Sequence, residues 1–85
     1  MKSFTYQIKE KLGLHARPAG MLVKKAKEYK SVITLEKSGS TVNLTKLMAV
    51  MSMGVKCGDT VTVIIDGSDE DTALNGIKEF FENNL

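Results

Sequence analysis

The chain has no tryptophan, and among its 85 residues there is one cysteine, one histidine and one proline. A lone cysteine, Cys57, cannot form an internal disulfide, so no disulfide framework is available and the cytoplasm is the expected location. One cysteine and one histidine cannot build a zinc cluster, so no metal site is expected. No apolar run approaches the roughly 20 residues that span a bilayer, and no apolar signal segment follows Met1-Lys2-Ser3-Phe4. A glycine-rich phosphate loop is missing, which argues against ATP binding by the chain itself; no cofactor is expected. Charge of either sign is not in excess: 12 Lys and Arg face 10 Asp and Glu, for a net +2. That balance gives no reason to expect nucleic acid or a membrane surface as a partner. The length suits one domain over residues 1–85, with one modest core.

What is present centres on Gly13-Leu14-His15-Ala16-Arg17-Pro18-Ala19, which holds the only histidine and the only proline. Proline is tolerated in the first turn of a helix, where amides have no intrahelical partner. Pro18 therefore predicts a helix start near residues 15 to 17, with His15 at its mouth. Free N–H groups and the positive end of the helix dipole make that mouth an anion site. Arg17 adds a planar cation suited to phosphate. Neutral imidazole is a nucleophile near pH 7, and its phosphoryl adduct is labile enough to be passed on. A lone histidine is more often an ordinary surface residue, but here it precedes a helix start beside an arginine and a stiffening proline. The phosphoryl group would come from another protein.

In chain order, Phe4, Tyr6 and Ile8 alternate with Thr5, Gln7 and Lys9, a strand with one buried face. A first helix is predicted over 16 to 29, with Ala19, Leu22, Val23, Ala26 and Tyr29 inward. Ala16, Gly20, Lys24 and Lys27 form another stripe, either a solvated face or an approach path for a partner. Val32 to Lys37 and Thr41 to Leu44 read as strands joined by a tight turn at Ser38-Gly39. Lys46 to Met53 reads as a short helix closed by Gly54. It is apolar on nearly every side, so its methionines either fill the core or leave an exposed docking face. Cys57 lies in a turn, read as an inert thiol. Thr60 to Asp66 is the fourth strand, with Val61, Val63 and Ile65 on one face. Ser68 and Asp71 resemble a capping box for a last helix running to about residue 83, with Ala73, Leu74, Ile77, Phe80 and Phe81 inward. Asp69, Glu70 and Asp71 are read as helix-capping acids. The order βαββαβα predicts an α+β fold: an open four-stranded sheet covered on one face by three helices. Strands one and two are expected to run parallel and to flank strand four, with a right-handed crossover.

These residues together resemble the HPr family, the histidine-containing phosphocarriers of the bacterial phosphoenolpyruvate-dependent sugar phosphotransferase system. The resemblance is carried by Gly13 to Ala19, by Val42-Asn43-Leu44, by Leu47 to Gly54, and by the length and element order. It implies an HPr-like open-faced sandwich with strand order 1-4-2-3. It implies that His15 accepts a phosphoryl group on its δ1 nitrogen from phospho-enzyme I and passes it to enzyme IIA domains of sugar permeases, as a stoichiometric carrier and not an enzyme. Arg17 would support the phosphate, with Ala16 and Pro18 shaping its seat. Docking would use Leu47, Met48 and Met51 together with Ala16, Gly20, Lys24 and Lys27. A monomer is expected.

One position departs from the Gram-positive pattern. A regulatory serine usually precedes the Leu/Ile-Met pair, and this chain has Lys46 there. HPr kinase is therefore not an expected partner, unless its target has shifted to Thr45 or Ser52. Lysine is also a poor N-cap, which leaves Thr45 to cap the short helix. Two other readings stay open: a regulatory binding module on the same fold outside sugar transport, and a small structural domain whose histidine is incidental.

Overall fold

The computed structural model describes residues 1–85. Its elements are β1 (Lys2–Gln7), α1 (Ala16–Ala26), β2 (Val32–Lys37), β3 (Ser40–Asn43), α2 (Leu47–Ser52), β4 (Thr60–Asp66) and α3 (Glu70–Asn84). The four strands form one antiparallel sheet in the order β1-β4-β2-β3. Both β1 and β2 run antiparallel to β4, so they are parallel to each other, as the α1 crossover requires.

Side-chain alternation decides which face is covered. Val61, Val63 and Ile65 of β4 are buried, and so are Ile33 and Leu35 of β2. The register sets Ile33 beside Ile65, and both Phe4 and Leu35 beside Val63. The opposite face carries Thr5 paired with Thr62, and Thr34 paired with Ile64. A period-2 pattern with one apolar side thus becomes an open-faced sandwich, its inner face packed under three helices. The α3 helix is held over β1 by Phe81, which is fully buried. The rings of Phe4 and Tyr6 each meet it edge to face at 5.5 Å, a favoured aromatic geometry.

Element ends differ from the periodicity in instructive ways. The α1 helix stops at Ala26 and not at Tyr29. The Glu28 and Tyr29 amides donate to Lys25 and Ala26, three residues back, so the last turn tightens out of α-geometry. Ile8 is buried beyond the paired part of β1, and its amide donates to Asp59. The hairpin places both Ser38 and Gly39 at positive φ, 51° and 84°. Two successive positive φ values give the turn whose twist matches a hairpin.

Two capping expectations are corrected. The predicted Ser68–Asp71 box does not form. The α3 N-cap is Asp69, and its side chain makes no capping bond. Its carboxylate instead accepts the Lys30 amide at 2.8 Å, the Ser31 amide at 2.9 Å and the Ser31 hydroxyl. Satisfying three donors at the α1–β2 junction outweighs a single cap contact. Of the other two acids, Glu70 pairs with the amino group of Met1 and Asp71 with Lys2. Nor does Thr45 cap α2. Its amide and hydroxyl both donate to Asn43 Oδ1, at 2.8 and 2.7 Å, and the N-cap is Lys46 without a side-chain bond.

The loop before α1 is fixed by a backbone contact. Gly13 has φ +68°, and a methyl group there would overlap the Val55 carbonyl oxygen and lie 2.7 Å from Lys56 Cα. The next amide, Leu14, donates to that same carbonyl at 3.0 Å. Gly13→Ala should therefore destabilise the fold by about 1–3 kcal/mol, from backbone strain before any displacement of the loop. Gly20→Ala is the control. It sits in α1 with open space around it and should be neutral or stabilising by up to about 1 kcal/mol. Urea denaturation of both variants checks this, and equal effects would remove the close approach as the cause.

Asp69 generates a pH prediction. The Ser31 hydroxyl, then the Lys30 amide, hold its carboxyl below the ordinary carboxylate range. The unfolded chain then binds the proton more readily than the folded one. This contribution is complete above the ordinary carboxylate value and is lost as pH falls through the folded-state value. Asp69→Asn should lower the denaturation midpoint at pH 7 and make stability less sensitive to acid. Parallel stability–pH curves for the two proteins would show that Asp69 is not the titrating group.

Candidate functional site

His15 is the N-cap of α1, with extended backbone (φ −83°, ψ −178°) and no side-chain capping bond. Its carbonyl accepts the Ala19 amide at 2.9 Å, the first intrahelical bond. The Ala16 and Arg17 amides have no carbonyl four residues back within the helix, and Pro18 has no N–H. The first turn therefore offers free donors at the positive end of the dipole. No acidic residue lies in that turn to neutralise it. Pro18 is buried and fixes the turn, whereas the His15 ring is half-buried and Arg17 is exposed. The ion pairs of the protein all lie elsewhere, so the guanidinium of Arg17 stays uncommitted.

His15 and Arg17 line one open depression of about 270 Å³ with Pro18, Met21, Glu10 and Asn84. The last three are absent from the sequence reading. Met21 was legible, since it follows Arg17 by four residues on the same helical face. Glu10 and Asn84 were not, because no local pattern joins residue 10 to residue 84. The structure joins them by folding the end of α3 onto the loop after β1. The Leu85 carbonyl accepts the Lys9 and Glu10 amides, and Leu85 itself is buried. Glu10 is tied down further: its carbonyl accepts the Gly13 amide and its Oε1 accepts the Leu12 amide at 3.3 Å.

Beside the depression lies a surface of mixed character. On α1 Ala16 and Lys24 are exposed and Gly20 is half-buried, and Lys27, its C-cap, is exposed. On α2 only Val50 is buried. Met48 is 77% exposed, and Leu47 and Met51 are 39% exposed. Met53 packs partly onto the core. The methionines of α2 therefore do not all fill the interior. The two helices touch each other, so the basic stripe and the apolar face stand on neighbouring elements. Lys46 is exposed where α2 begins, and the Ser52 hydroxyl is spent on the Ala49 carbonyl at 2.8 Å. Cys57 is exposed, with its Sγ 3.8 Å from the Lys9 carbonyl oxygen.

Chemically, the arrangement offers an accessible ring nitrogen, free amides and a cation around one small open space. Such a seat suits a tetrahedral dianion carried on the imidazole.

Comparison with known proteins shows the family. The PTS-HPr family model, described as the PTS HPr component phosphorylation site, matches residues 2–83. The HPr-C-His structure from Thermoanaerobacter tengcongensis is 40% identical with a TM-score of 0.93, over 98% of this chain and 93% of that one. The histidine-containing phosphocarrier protein of Mycoplasma is 39% identical with a TM-score of 0.93, over 96% and 93%. Crh, the catabolite repression containing protein of Bacillus subtilis, is 35% identical with a TM-score of 0.78, over 100% and 98%. Members of this family are phosphocarriers rather than catalysts, and by sequence match and fold alike this chain belongs to the HPr family of the phosphotransferase system.

Proposed function

We propose that the chain is a phosphocarrier that accepts a phosphoryl group on His15 from phospho-enzyme I and passes it to enzyme IIA domains of sugar permeases. The observation that carries this reading is the half-exposed, uncapped His15 ring at the open N-terminus of α1, sharing its depression with an unpaired Arg17. In the forward step the bond from phosphorus to the donor breaks as an N–P bond to His15 forms. The proton leaving the His15 ring ends on the donor's leaving group. The HPr resemblance assigns the phosphate to the δ1 nitrogen. Arg17 and the Ala16 and Arg17 amides offset the charge, and Pro18 keeps the seat rigid, so catalysis is positioning and electrostatics.

Docking is assigned to Leu47, Met48 and Met51 on α2 with Ala16, Gly20, Lys24 and Lys27 on α1. An exposed apolar cluster on a six-residue helix has little folding purpose, and methionines adapt to more than one partner surface. With Lys46 at the start of α2, a phosphoserine-dependent partner is not part of this function. The likeness to Crh supports a second reading, a regulatory module on the same fold. Transfer of phosphate from phosphoenolpyruvate through enzyme I separates the two, because a purely regulatory module would stay unmodified.

His15→Ala should abolish uptake of acid-labile phosphate from phospho-enzyme I while leaving the melting temperature near that of the unmutated chain. Intact-mass measurement checks it, and phosphate still accepted by the variant would remove His15 as the carrier. Arg17→Ala should still accept phosphate, but about 10- to 100-fold more slowly, as expected when a positioning cation is lost. Unchanged rates in both directions would exclude Arg17 from the transfer.

Met48→Asp should leave stability within about 0.5 kcal/mol of wild type, because the side chain is exposed. It should weaken binding to enzyme I and enzyme IIA at least about tenfold, since a desolvated charge at an interface centre is costly. Calorimetric titration and thermal melts check this. Wild-type affinity together with a large stability loss would make Met48 a packing residue.

A further inference from the structure

The depression around His15 is lined by one acidic residue that the carrier reading does not use, Glu10. It lines the same open space as His15 and Arg17. It is not free to swing away at no cost, because Oε1 accepts the Leu12 amide and the Glu10 backbone is bonded to Gly13 and Leu85. No cation is paired with it, and Arg17 does not neutralise it. A carboxylate is a strange neighbour for an anion seat. Everything else there, the free amides, the helix dipole and Arg17, attracts a phosphoryl group.

We propose that Glu10 weakens the hold of His15 on its phosphoryl group by like-charge repulsion, favouring handover over storage. This inference rests on the phosphocarrier reading above. A carrier that binds its cargo too well cannot release it, and attraction by amides and arginine favours the loaded state. A negative charge on a residue lining the depression offsets part of that attraction. Glu10 takes no part in the bonds that change: the bond from phosphorus to the donor breaks, the His15 N–P bond forms, and the ring proton moves to the donor's leaving group. The carboxylate acts only through space, on a group that is a dianion when loaded and absent when empty. Like-charge repulsion between groups that share one open, water-filled depression, reduced by that water and by salt, corresponds to about a two- to fivefold shift in the exchange equilibrium.

The test uses the full chain with enzyme I, at fixed ratios of phosphoenolpyruvate to pyruvate, and reads phosphorylated against free chain by intact mass. Glu10→Gln removes the charge and keeps an oxygen that can accept the Leu12 amide, so the loop is retained; a thermal melt verifies it. At about 0.15 M salt this variant should show a ratio of loaded to free chain two to five times that of wild type. The difference should shrink towards unity at about 1 M salt, where the screening length falls to roughly 3 Å. Glu10→Asp, which keeps the charge, should stay close to wild type. A Gln variant with an unchanged or lowered loaded ratio overturns the inference. So does a difference that persists undiminished at high salt, which would indicate altered geometry instead of charge. If wild type and variant both load equally, only the role of Glu10 is lost. If the wild-type chain takes up no acid-labile phosphate at all, the carrier reading falls and the inference with it.

Discussion

The site depends on one backbone contact, the approach of Gly13 to the Val55–Lys56 segment. A side chain at residue 13 would fill the space that the Val55 carbonyl occupies, and the Leu14 amide is bonded to that carbonyl. The contact joins the loop before α1 to the segment after α2. It therefore fixes where α1, with His15 at its mouth, begins relative to α2. Removing a Cβ is a small chemical change with a large positional effect, because backbone can then touch backbone. Leu14, buried next to it, anchors the loop in the core and leaves the following residue, His15, pointing out of it.

The other end of the chain shapes the site through a different interaction. The Leu85 carbonyl accepts amides from Lys9 and Glu10, which brings the tip of α3 to the loop after β1. Phe81, one turn earlier, is clamped between Phe4 and Tyr6, so the helix cannot slide along the sheet. The depression at His15 is thus walled by elements that the sheet and its aromatic core hold in register. The charges around it divide into those that draw an anion in and one that opposes it. That division gives the proposed carrier both a seat for the group and a reason to let it go.

The fold also shows where local rules give way to tertiary ones. Ser68, Asp69 and Asp71 have the composition of a helix start, and a helix does start there. Yet Asp69 bonds to Lys30 and Ser31, which are distant in sequence, because those amides and the Ser31 hydroxyl would otherwise be left without partners at a partly buried junction. Thr45 behaves alike, turning towards Asn43. In both cases the boundary of the helix was legible and its partner was not, since capping side chains choose among all donors nearby in space.

By itself the sequence determined the element order, the buried face of the first and fourth strands and the start of α1. Each of these follows from spacing along the chain: period 2 in the strands, period 3.6 in the helices, and a proline that cannot sit deep in a helix. It also singled out His15 and Arg17, because the chain has one histidine and it stands beside that proline. The apolar excess of α2 was legible too, as more greasy surface than six residues can bury. Only the tertiary structure decided which methionines stay outside, with Val50 taking the single inward place on α2. Only it brought Glu10 and Asn84 to the histidine. Those residues lie at opposite ends of the chain, and no periodicity connects them; their meeting is set by how α3 packs on the sheet, which is a property of the whole core.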